Sequence, residues 1–121
     1  MSKYLKEYKW SNIFQMIRNL KLDPKICSDD FHHRLVVITG ATSGIGYATA
    51  RKYAAHGADL LCINRNPKSS EELCQTLASE FGCQCSYLIA DFSSLSQVHA
   101  AAKQLAYLDK DIDVIIHNAG V

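Results

Sequence analysis

Neither charge sign dominates this chain. Thirteen Lys and Arg stand against twelve Asp and Glu, a formal net charge of +1, far from the basic excess that binding nucleic acid requires. No apolar run approaches the roughly 18 residues of a membrane-spanning helix. Proline is scarce at two residues and glycine sparse at six, so collagen-like and low-complexity compositions are excluded. The five cysteines are an odd number, and no basic n-region, apolar h-region and cleavage site of a secretory signal is found, so reduced thiols in a cytoplasmic protein are expected. Cys83-Gln-Cys85 is too closely spaced for a zinc knuckle and has no second cysteine pair, so no metal site is expected. His32, His33 and His99 lack partners at ligand spacing and are expected at the surface. What remains, 48% hydrophobic and 21% charged residues in a length of 121, suits one globular domain.

Charge is nonetheless uneven. Residues 1–21 carry Lys3, Lys6, Lys9, Arg18 and Lys21 against Glu7 alone, a net of +4, whereas the remaining 8 basic and 11 acidic residues give −3. In this leader Leu5, Tyr8, Ile13, Ile17 and Leu20 form a helical apolar stripe, widened by Trp10, Phe14 and Met16. Asp23-Pro24 ends it, because the residue before proline is pushed out of helical geometry. Residues 25–33 read as a polar connector. The stripe is expected to pack on the domain or on a partner subunit, with peripheral contact to a membrane surface as the sharper alternative and disorder as the third. The leader and connector thus occupy residues 1–33 and the periodic domain residues 34–121.

From Arg34 onward, apolar runs and helical stripes alternate. Leu35-Val36-Val37-Ile38 has the continuous apolar character of a strand buried on both faces. A glycine-rich turn follows, then a helix from about Gly44 to His56. Ile45, Thr49 and Tyr53 beside Gly46, Ala50 and Ala54 give it a large-and-small face for close contact with a sheet, and Gly57 stops it. Ala58 to Asn64 is a second strand. Pro67 opens the next helix, where Ser69 and Glu72 have capping-box spacing and Leu73, Leu77 and Phe81 form the buried stripe, ended by Gly82. Gln84 to Ala90 is the third strand. The third domain helix starts among Ser93, Ser94 and Ser96 and is expected to bury Leu95, Val98, Ala102 and Leu105. Asp113 to Ile116 is the fourth strand, followed by His117, expected as a packed strand-end histidine. This β-α-β-α-β-α-β order predicts an α/β fold, a Rossmann-type doubly wound parallel sheet, incomplete, with a helical leader.

The motif that carries chemistry is Thr39-Gly40-Ala41-Thr42-Ser43-Gly44-Ile45-Gly46, between the first strand and the first domain helix. In such a turn one glycine permits the tight bend, another lets backbone approach a pyrophosphate, and a third lets helix and strand pack closely. The helix N-terminus presents N–H groups and a positive dipole end to phosphate, and the hydroxyls of Thr42 and Ser43 add donors. A P-loop is excluded because Tyr47, not lysine, follows Gly46; a methyltransferase-type nucleotide site is the competing reading. The spacing Gly-x-x-x-Gly-x-Gly, Asp91 after the third strand, and Asn118-Ala119-Gly120 after the fourth together resemble the short-chain dehydrogenase/reductase family over residues 34–121. The resemblance implies that Gly40, Gly44, Ile45 and Gly46 cradle coenzyme phosphates and that Asp91 and the Phe92 backbone hold adenine. It implies further that Asn118, Ala119 and Gly120 line the coenzyme and steady the sheet. Read without the resemblance, Asp91 is a helix cap and Asn118 a turn residue. His117 departs from the asparagine that often precedes the family's Asn-Ala-Gly.

Coenzyme choice is read at the end of the second strand, where a carboxylate suits the ribose 2′-OH of NAD and an arginine the 2′-phosphate of NADP. Here Asn64 and Arg65 stand, with no carboxylate until Glu71, so NADP is expected over NAD; otherwise Arg65 is a solvated loop residue. The family's catalytic pair, by the same resemblance, is a tyrosine with a lysine four residues later. None of Tyr4, Tyr8, Tyr47, Tyr53, Tyr87 and Tyr107 has that lysine. The chain is therefore expected to be the coenzyme-binding half of an oxidoreductase acting on a small carbonyl or alcohol, without turnover of its own. The alternatives are a non-catalytic dinucleotide-binding module acting through a partner, and a structural fragment that binds nothing. A homo-oligomer is also open.

Overall fold

Leu-Val-Val-Ile-Thr, the strand β1 (Leu35–Thr39), is buried at every position, as a strand covered on both faces must be. The computed structural model describes residues 10–120, so Leu5 and Tyr8 of the leader stripe lie outside the described residues. In chain order the elements are α1 (Trp10–Leu20), β1, α2 (Gly44–Ala55), β2 (Asp59–Asn64), α3 (Pro67–Phe81), β3 (Cys85–Ile89), α4 (Leu95–Ala106) and β4 (Val114–Ile116). The four strands form one parallel sheet in the order β3-β2-β1-β4.

Successive strand residues face opposite sides. Val36, Ile38, Leu60 and Cys62 pack with Ala50 and Ala54 of α2 and with Leu73 and Leu77 of α3. Leu35, Val37, Leu61 and Ile63 face the other side, toward Ala101 of α4. The sheet is therefore wound on both faces. At its lower corner the Asp113 carboxylate accepts the Leu35 N–H at 2.8 Å while the Asp113 N–H donates to the Leu35 carbonyl at 3.0 Å, pinning β4 to β1.

Several local expectations are corrected. The cap of α3 is Asn66, whose side chain accepts the Ser69 N–H at 3.1 Å; Pro67 opens the helix at its first position, as expected, so Ser69 lies inside the first turn rather than at the cap. On α2 the fully buried residues are the small Gly46, Ala50 and Ala54; Tyr53 packs partly buried against the same core as expected, whereas Ile45 is 79% exposed. On α4 the buried residue is Ala101, not Ala102, and Leu95 is 71% exposed. Its inward stripe runs through Val98, Ala101 and Leu105, and Leu95 stands at the first position of the helix. His117 is exposed rather than packed: it shares the side of Ile115, which α4 leaves uncovered, whereas Val114 and Ile116 face the other core.

Residues 11–20 of the leader helix are exposed throughout, so these described residues do not pack on the domain. Among the described residues no helix is long and apolar enough to cross a membrane. The connector is less polar in behaviour than in composition. Phe31 packs edge-on to Tyr53, ring centroids 5.0 Å apart, and its N–H donates to the His56 carbonyl at 2.9 Å. The His32 ring fills the space where a side chain on Gly57 would stand. His33 and His99 are exposed.

Candidate functional site

The chain steps from β1 outward to β2 and β3, then returns to place β4 on the other side of β1. Strand order thus reverses between β1 and β4, and at such a point the loops leaving the carboxyl ends of the strands part and leave a crevice. A cleft of about 480 Å³ opens there, within the range of small-molecule sites. Of the residues singled out from the sequence, Gly40, Thr42, Ser43, Arg65, Asp91, Phe92, Asn118, Ala119 and Gly120 line it; Gly44, Ile45 and Gly46 do not.

The three turn glycines have separate physical reasons. Gly40 has φ +69° and lies against β4's loop, where an added Cβ would sit 3.0 Å from the Ala119 Cα. Gly44 has φ +56° in open space, so its demand is backbone conformation alone. An added Cβ at Gly46 would come 2.0 Å from the Gly40 carbonyl oxygen and 2.6 Å from Asn118 Nδ2; its role is packing. Ser43, in extended conformation, makes no side-chain cap, so the first-turn N–H groups of α2 have no partner within their helix.

Two polar residues organise the crevice without having been assigned a role from the sequence. Thr39 is buried at the end of β1, and its Oγ1 accepts the N–H groups of Asn118 and Ala119, both at 3.0 Å. Asn118 Nδ2 in turn donates to the Gly40 carbonyl at 3.0 Å. The β4 loop is thereby tied to the glycine turn, and Asn118 is more than a turn residue. Asn64, only 3% exposed, accepts the Ala41 N–H through Oδ1 at 2.8 Å. That bond fixes Nδ2 as the remaining donor, and Nδ2 is buried without an acceptor. The signal that could have found both residues is a polar side chain ending an otherwise apolar strand.

Asp91 does not cap α4, whose N-cap is Ser94. Its Oδ1 accepts the Ser93 N–H at 2.9 Å and the Ser93 hydroxyl at 2.7 Å. These bonds hold the carboxyl below its ordinary value, with Arg65 adding a smaller pull. Its own N–H donates to Gln97 at 2.8 Å. Arg65 is exposed at the cleft rim. Phe92 packs against the α4-side core while lining the cleft. The cleft offers an arginine for phosphate, with α2 starting directly after the cleft-lining Ser43, a carboxylate for a polar ring or hydroxyl edge, and a buried amide donor for an oxygen. Among the described residues no group of His, Cys, Asp and Glu is arranged to hold a metal.

Comparison with known proteins agrees in extent and fold. Residues 34–121 match the family described as short chain dehydrogenase. The chain is 38% identical over 95 residues to a WW domain-containing oxidoreductase of Drosophila melanogaster, covering 76% of this chain and 23% of that protein. It is 32% identical over 88 residues to the human inactive hydroxysteroid dehydrogenase-like protein 1, covering 73% of this chain and 26% of that one. The chain thus spans about a quarter of the length of these curated relatives. Among solved structures, a short-chain dehydrogenase from Sphingobium yanoikuyae in complex with NADPH superposes with a TM-score of 0.67 at 33% identity, over 73% of this chain and 34% of that one.

Proposed function

The chain belongs to the short chain dehydrogenase family, and from that premise we propose that its cleft binds NADP(H), on behalf of an oxidoreductase that interconverts a small carbonyl and an alcohol. The observation that carries the reading is Asn64: a donor buried beside the cleft with no acceptor is the kind of group a bound ligand's oxygen satisfies. In this reading residues 34–121 are the dinucleotide-binding unit and residues 1–33 a leader. The α2 N-terminus at Gly44, Ile45 and Gly46, with Thr42 and Ser43, faces the phosphates; Asp91 and Phe92 hold the adenine; Asn118, Ala119 and Gly120 form the opposite wall. Arg65 takes the 2′-phosphate, which favours NADP over NAD. When bound, the coenzyme supplies hydride; the residues of this chain bind and orient it. That a solved relative carries NADPH supports the choice.

No tyrosine of the chain has a lysine four residues on, so the 121-residue chain is expected to bind without turnover. A non-catalytic binding role for the whole protein is the second reading, favoured by the human relative whose name calls it inactive. The test is titration of the purified chain with NADPH, alongside Gly44→Asp and an assay with aldehydes and ketones. Saturable binding lost in Gly44→Asp, with no coenzyme consumed, is expected. Absence of saturation refutes the site, and reproducible coenzyme oxidation refutes the non-catalytic expectation. Two further associations belong to the same reading: peripheral membrane contact through residues 1–21, and pairing with a second copy.

A further inference from the structure

On the face of the sheet covered by α3, three sulfurs gather between that helix and the strands. Cys74 lies on the buried face of α3, Cys85 begins β3 and Cys62 is buried in β2. The Sγ atoms of Cys74 and Cys85 are 2.7 Å apart, nearer than unbonded sulfurs settle and approaching the disulfide length of about 2.04 Å. All are free thiols in this structure. Cys85 is half-buried and forms part of the wall of a surface cleft of about 430 Å³, beside Ala78, Cys83, Gln84 and Ser86. Cys85 lines that cleft and Cys74 does not. Cys83 is engaged elsewhere, its thiol donating to the Leu77 carbonyl at 3.7 Å.

We propose that Cys74 and Cys85 are a covalent modification site, joined into an intrachain disulfide by a small-molecule disulfide of the glutathione class. The Cys85 sulfur attacks one sulfur of the reagent, forming a mixed disulfide and releasing one reduced thiol. The Cys74 sulfur then attacks Cys85, forming the intrachain bond and releasing the second. Two protein thiols are oxidised, one reagent disulfide is reduced, and the two protons leave on the released thiols. The contact between the two sulfurs, and burial, hold the Cys74 thiol well above its usual range; Cys62 and burial raise Cys85. Weakly acidic thiols exchange slowly but are poor leaving groups, so the bond forms slowly and resists reduction once made. It closes a loop between α3 and β3 across eleven positions.

The chain, with Cys27→Ser to remove the exposed thiol, is incubated with oxidised glutathione, alkylated and mapped without reduction. A cross-linked peptide joining Cys74 and Cys85, lighter by two hydrogens, is expected, with a melting temperature raised by on the order of 10 °C. Cys85→Ala and Cys74→Ser should each abolish both changes; Cys62→Ala should leave them. Full alkylation of both thiols after oxidant, a dominant Cys62–Cys85 or Cys83 pairing, or an unchanged melting temperature in the cross-linked chain overturns the proposal.

Discussion

Replacing Thr39 by valine keeps the shape of the side chain and deletes one oxygen. That oxygen is the shared acceptor of two N–H groups from the β4 loop, so Thr39→Val should leave both unmatched at a partly buried position. The expected loss is about 2 kcal/mol, a fall in melting temperature of roughly 10 °C for a domain this size, read by chemical and thermal denaturation. An unchanged midpoint would mean that solvent replaces Oγ1. The glycines separate in the same way. Gly46→Ala drives a Cβ into backbone at 2.0 Å and should prevent the folded state from accumulating. Gly44→Ala meets nothing and should cost only the left-handed penalty, about 1–2 kcal/mol. Circular dichroism of the two variants side by side checks the order. Arg65→Ala should narrow the preference for NADPH over NADH by about one to two powers of ten, the worth of a charge-assisted phosphate contact. Titration of both coenzymes at fixed salt decides it, and an unchanged ratio returns Arg65 to the solvated loop. The glycine pattern was legible as a set because its spacing is local. Thr39 and Asn64 were not, because their partners at Asn118, Ala119 and Ala41 arrive only when the loops meet.

Strands were readable where they are buried on both faces. The runs 35–38 and 60–63 had no polar interruption, and each became a central strand with its register fixed by the alternating cores. Helix faces were less so: α4's inward residue differed by one position, because two adjacent alanines at 101 and 102 give apolar pattern no means of choosing between them. The leader helix shows the opposite case, a stripe plain in sequence whose partner the sequence does not name. Ile13, Phe14, Ile17 and Leu20 of α1 are exposed, and the basic residues of the leader stand beside them in sequence. An amphipathic basic helix of this kind binds anionic lipid through buried apolar area plus charge. Co-sedimentation of the chain with phosphatidylserine vesicles should therefore be salt-sensitive and lost on deleting residues 1–21. Equal sedimentation of both chains would leave α1 as a surface for protein.

Across the whole molecule, cover is unequal. β1 and β2 are closed on both faces, but β4 is a three-residue edge paired only with β1, and its Ile115 is 46% exposed. On this edge an exposed apolar side chain and an open row of backbone donors and acceptors coincide. An edge with that combination tends to pair with another edge, and a second copy can supply one about a two-fold axis, where each partner presents the same strand. The net charge of +1 gives little long-range repulsion to oppose it. Sedimentation velocity across a wide range of concentration should accordingly show a monomer giving way to a dimer. Ile115→Lys places a charge on that face, the means by which natural edge strands avoid pairing, and should hold the chain monomeric with its coenzyme affinity intact, since Ile115 lies outside the cleft lining. A single monomeric species at every concentration would remove the second copy as a partner, and a dimer indifferent to Ile115→Lys would move the contact away from β4.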